Sequence, residues 1–73
     1  MLSNLVSYKH VQSTPATVWL IEHGLSTDVP VIDCWIDVNG EIVRVVPKSI
    51  ERVDGSTVKA IFTSDRTGFA VVA

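Results

Sequence analysis

Asn39-Gly40 lies between two stretches rich in β-branched residues, with Ile36 before it and Ile42 after it. A two-residue hairpin turn requires positive φ at both central positions, which Asn-Gly accepts at little cost, so the dipeptide predicts a β-hairpin. Asp54-Gly55, between Ile50–Val53 and Thr57–Phe62, carries the same chemistry. Ser64-Asp65-Arg66-Thr67-Gly68 reads as a longer loop ending in a permissive glycine. Pro15 and Pro47 fall between apolar segments and Pro30 opens one, positions where a missing N–H does no harm. Seven short segments rich in Val, Ile and Thr remain between these breakers: Leu5–Gln12, Thr17–Glu22, Val31–Asp37, Glu41–Val46, Ser49–Val53, Thr57–Thr63 and Gly68–Val72. Leu2–Leu5 reads equally as a frayed or a helical start. The predicted fold is all-β, a compact antiparallel β-sandwich of about seven short strands, forming one domain over residues 1–73.

Alternation assigns faces to these strands. Trp19, Ile21 and His23 share one side and Leu20 and Glu22 the other. Ile32, Cys34 and Ile36 oppose Asp33, Trp35 and Asp37, while Val58, Ala60 and Phe62 oppose Thr57, Lys59, Ile61 and Thr63. In the last strand Gly68, Ala70 and Val72 oppose Phe69 and Val71. The charge-free sets are the expected core. Leu20, Trp35, Ile61, Phe69 and Val71 then remain on the faces that carry Glu22, Asp33 and Lys59. A small sandwich hides one layer between its sheets, so these five form the expected interface with another subunit or a partner. A bulge that shifts the register could return Trp35 or Phe69 to the core, but one bulge cannot invert several strands.

Size points the same way. A domain of 73 residues buries only about 60% of the surface its unfolded chain exposes, and its core is marginal. Small domains add disulfides, a metal or a partner subunit. Cys34 is the only cysteine, so no internal disulfide can form, and no Cys/His cluster suggests zinc. Self-association is left, and 47% hydrophobic residues against 19% charged residues agree with it. A formal charge of −2, with the six Lys and Arg scattered, offers no basic stripe for nucleic acid. No apolar run approaches the roughly 20 residues of a membrane helix. No positive region followed by an apolar stretch marks a signal peptide. A free cysteine without an export signal fits a reducing cytoplasm.

Candidate chemistry is sparse. Cys34 and His23 could form a nucleophile–base pair, but a mid-strand cysteine between Ile32 and Ile36 reads as core. His10 and His23 with Asp28 and Asp33 lack metal-ligand spacing, and the His23 ring N–H is expected to serve a turn carbonyl. Asp37, Asp54 and Asp65 sit at or beside turns, where aspartate bonds to backbone. Asp33 is the mid-strand exception, expected to blunt an edge or to pair with Lys59 or Arg44 across a subunit contact. No calcium loop, phosphate loop or nucleophile elbow is present, and no enzyme activity, cofactor or metal is expected. Trp35, Phe69 and Tyr8 also permit a sugar-stacking site.

Trp19-Leu20-Ile21-Glu22-His23-Gly24-Leu25, followed by Pro30-Val31-Ile32 and by Gly68-Phe69-Ala70-Val71-Val72, resembles the W-x-I-x-H-x-L…P-x-V…G-x-A-x-V pattern of a small β domain. That domain recurs in tail-fibre and other virion proteins of tailed bacteriophages. Between those blocks, Asp37–Gly40 matches its polar D-x-x-G hairpin, and Pro47 its proline. Ile50–Phe62 matches its I-x-x-V-D-x-x-T-V-x-x-x-F strands. The likeness runs from about Thr17 to the end. Two positions depart from it: Gly24 stands for the usual asparagine and Ser26 for the usual glycine.

The resemblance implies a virion structural role, in a fibre, a baseplate or a head-decoration subunit, often as a trimer among other virion proteins. Assembly would take place in the host cytoplasm and the final location would be the virion. The alternative is an adhesion module that binds a host-surface glycan or receptor. A free-standing small protein and an excised domain both remain open.

Overall fold

A computed structural model describes residues 7–73 of the chain. They form an all-β fold, 73% strand and without a helix, in which five strands build one antiparallel sheet. The strands are β1 (Tyr8–Glu22), β2 (Ile32–Val38), β3 (Glu41–Val45), β4 (Ser49–Asp54) and β5 (Thr57–Val72). The sheet runs β1-β5-β2-β3, and β4 pairs separately with β5.

Five strands replace the seven expected because β1 and β5 each absorb two of them. β1 joins the described part of Leu5–Gln12 to Thr17–Glu22, and β5 joins Thr57–Thr63 to Gly68–Val72 through the segment read as a loop. The expected start at Leu2–Leu5, with Val6, lies outside the described residues. Pro15 does not end β1; it lies where the β1–β5 register shifts, between Gln12 and Ala16, and a proline there removes no regular ladder bond.

The two long strands divide the sheet into halves. In the Trp19 half, Val18–Glu22 of β1 and all of β4 flank Thr57–Ile61 of β5. In the Trp35 half, Tyr8–Gln12 of β1 and Ile32–Ile36 of β2 flank Gly68–Val72, and β3 pairs with β2 beyond. Nine residues of straight strand would separate His10 from Trp19 by roughly 30 Å, yet their ring centroids are 6.0 Å apart. β1 therefore doubles back at its register shifts. The inner side chains of both halves meet in one cluster: Trp19, Ile21, Val58, Ala60 and Phe62 from one, Cys34, Ile36, Ala70 and Val72 from the other.

Hydrogen bonds fix the bend. The buried Trp19 indole N–H donates to the Ala16 carbonyl at 3.1 Å and to the Arg66 carbonyl at 3.2 Å, which satisfies the one polar atom of the largest core residue. Thr17 Oγ1 donates to Asp65 Oδ1 at 2.7 Å, so Asp65 ties β1 to β5 instead of serving backbone. Gly68, at φ +152°, opposes Ile36 of β2. A Cβ there would overlap the Trp35 carbonyl oxygen and lie 2.8 Å from the Ile36 Cα, so only glycine lets β5 and β2 approach.

Turn chemistry holds in one hairpin and changes in the other. Asn39 and Gly40 take φ of +53° and +89°, and the Gly40 N–H donates to Asp37 Oδ1 at 2.8 Å. Gly55 has no positive φ; instead Asp54 Oδ1 accepts from the Ser56 N–H at 2.8 Å and closes the turn as an Asx-turn. Between β1 and β2, Gly24 and Ser26 take φ of +67° and +51°. Gly24 N–H donates to Ser56 O at 3.0 Å, and Thr27 N–H to Gly55 O at 2.8 Å, which pins the connection to the β4–β5 turn.

Candidate interaction face

Directly opposed residues in a sheet share a face, so the ladder registers place every outer side chain. One outer row of the Trp35 half runs Val11–Phe69–Trp35–Arg44 across four strands. The next runs Lys9–Val71–Asp33. Trp35 and Phe69 have ring centroids 6.1 Å apart at an interplanar angle of 17°, an offset stack. Charges occupy the margin. Lys9 Nζ stands 4.7 Å from the Phe69 centroid, and Arg44 Nη2 contacts Asp33 Oδ1 at 2.6 Å. Asp33 thus pairs with Arg44 of its own chain.

The five expected interface residues separate into two groups. Trp35, Phe69 and Val71 are neighbours on the outer face of the Trp35 half, each partly buried. Leu20 and Ile61 lie on the outer face of the Trp19 half, where Leu20 opposes Lys59 and Ile61 opposes Val18. Leu20 is 51% exposed. The bend in β1 and β5 separates the groups. Tyr8 belongs to neither: it opposes the buried Val72, so it does not join Trp35 and Phe69. Val11, 61% exposed, completes the aromatic row. Sequence reasoning missed it because Tyr8-Lys9-His10-Val11-Gln12 shows no clean alternation.

Cys34 is buried on the inner face opposite Ala70 and Val45. Burial, reinforced by the Asp33 charge, pushes its thiol from 9.0 up to about 11, which makes it a poor nucleophile at neutral pH. His23 is 5% exposed, and its role is the reverse of that expected. Its Nδ1 accepts the Leu25 N–H at 3.0 Å, which places the ring proton on Nε2, a buried atom with no partner. His10 Nε2 instead contacts Gln12 Oε1 at 2.7 Å. The two imidazoles and the thiol share no hydrogen bond, and among the described residues no three His, Cys, Asp or Glu side chains gather around a metal-sized space.

This surface carries two stacked aromatic rings, two valines, and a rim of one ion pair and one lysine. No protein-family model, curated protein or solved structure matches the chain.

Proposed function

We propose that this chain is a non-enzymatic structural module of a tailed-bacteriophage particle, in a fibre, baseplate or head decoration, that acts by self-association. A trimer bound to other virion proteins is the favoured assembly, made in the host cytoplasm and carried in the virion. The carrying observation is the outer row Val11–Phe69–Trp35 with Val71 beside it. An apolar strip three strands wide, with charge only at its margin, has the anatomy of an interface core and its rim. We read the doubled-back sheet as a small sandwich, its two halves serving as the layers.

Support for the phage assignment comes from the sequence pattern, whose residues hold structural posts. Trp19, Ile21 and His23 are buried, and Gly68 occupies a position where only glycine fits. A second reading, a glycan- or receptor-binding adhesion module, draws on the near-parallel Trp35 and Phe69 rings beside the Asp33–Arg44 pair. Against it, Lys9 already covers one face of Phe69 and Tyr8 faces away.

Light scattering on a size-exclusion column over a wide concentration range tests the proposal. Wild type is expected to be a closed oligomer, and Trp35→Glu and Phe69→Glu to shift it toward soluble monomer. Two variants that keep the wild-type oligomer would remove the aromatic row from the interface. A monomer whose tryptophan fluorescence responds to glycan would favour the adhesion reading.

A further inference from the structure

β1 and β5 run through both halves, β1 with its own outer edge free, and across β5 from β1 the sheet splits at an open seam. There β3 ends the Trp35 half and β4 ends the Trp19 half, each paired along one edge only. Val46-Pro47-Lys48 alone links them, and Val46 is 93% exposed. Backbone hydrogen bonds outside the ladders number four among the described residues, and none involves β3 or β4. Among the described residues their free edges thus have no backbone partner. A cleft of about 350 Å³ lies along this seam, with Val45 and Ile50 on its walls.

The two edges complement one another. Val43 and Val45 lie on the inner face of β3, and Ile42 and Arg44 on the outer. On β4, Ile50 and Arg52 are inner and Glu51 is outer, and Val53 falls at the register shift before Asp54. In one antiparallel register Val45 meets Ile50, Arg44 meets Glu51 and Val43 meets Arg52. Every pair then shares a face, one pair is wholly apolar and one is oppositely charged. By contrast, β4 set against β4 about its centre would oppose Glu51 to Glu51.

We infer that β3 of one copy pairs edge to edge with β4 of a second copy in this register. The contact joins two different edges, so it is heterologous and generates a closed ring when the rotation per subunit closes. Free strand edges invite such addition, and here the occupant is the same chain. The inference rests on the self-association reading and adds a second contact, distinct from the aromatic row.

Charge reversal tests it. Arg44→Glu and Glu51→Arg are each expected to weaken association about tenfold, and the double variant to restore it. Loss of the intrachain Arg44–Asp33 contact would weaken Arg44→Glu without being rescued by Glu51→Arg, so restoration is specific to the intermolecular pair. Mixing an Arg44→Cys chain with a Glu51→Cys chain under oxidation is expected to give a mixed disulfide dimer, while wild type, with only Cys34, gives none. If the reversals leave a wild-type oligomer intact, or the mixed disulfide does not form within it, the edge contact is overturned and self-association stands. A wild type that is monomeric at every concentration overturns both.

Discussion

Trp19 and Trp35 sit mid-strand among β-branched neighbours, yet the structure uses them in opposite ways. Trp19 is fully buried, lies 4.6 Å from Phe62 between ring centroids, and has its indole N–H shared by two carbonyls of the bend. Trp35 stands on the outer face against Phe69, with Arg44 opposite. The first holds the halves together; the second leaves aromatic surface to be covered. Residue type is the same in both. The difference comes from which face the register gives each one, and from what the neighbouring strands place beside it.

Truncating each tryptophan sharpens that contrast. Trp19→Ala is expected to cost about 3–5 kcal/mol in transfer and cavity terms. A domain of this size has only about 3–5 kcal/mol to lose, so urea titration followed by circular dichroism should find the variant largely unfolded. Trp35→Ala should cost about 1 kcal/mol through its lost stacking, while light scattering registers the larger change, loss of association. Equal stability losses for the two variants would break the contrast.

Gly68→Ala attacks the strand contact beneath Trp35. The new methyl would meet the Trp35 carbonyl in a backbone conformation that L-residues rarely adopt, and a loss of about 2–3 kcal/mol is expected. Hydrogen exchange should show protection lost first at Asp33–Ile36 of β2 rather than in the Trp19 half. Uniform loss across both halves would mean that they do not respond separately.

The smallest effect lies in the connection between them. Ser26 holds φ +51°, a left-handed conformation that favours glycine. Ser26→Gly should relieve strain and raise stability by about 1 kcal/mol, partly offset by the freedom glycine gains when unfolded. A higher thermal midpoint with unchanged oligomeric state is the expected result; a lower midpoint would show that the serine side chain contributes more than its backbone costs.

Much of this was legible in the chain. Period-2 alternation separated Trp19 and Ile21 from Leu20, and Cys34 and Ile36 from Trp35, because one side of each strand had to be charge-free to be buried. Asn39-Gly40 located its hairpin because few other dipeptides accept two positive φ values. The Asp65 hydrogen bond was not legible, because its partner, the Thr17 hydroxyl, lies 48 positions away; that of His23 is local, to the Leu25 N–H, but residue type leaves an imidazole able to donate or to accept. Nor was the turn type at Asp54-Gly55, where an aspartate side chain competed with the expected glycine geometry and won.

The sequence by itself determined that this protein is all-β, where its hairpins turn, and which side of most strands faces inward. These follow from local sterics and from alternation, which act within a few residues. Only the tertiary structure decided that Pro15 and the Ser64–Gly68 segment lie within strands rather than between them, and that the outer apolar residues divide into two groups. Both outcomes depend on the register between β1 and β5, a contact between residues about fifty positions apart. A proline that looks like a stop is tolerated at a register shift, and a doubled-back sheet points its halves outward on separate faces.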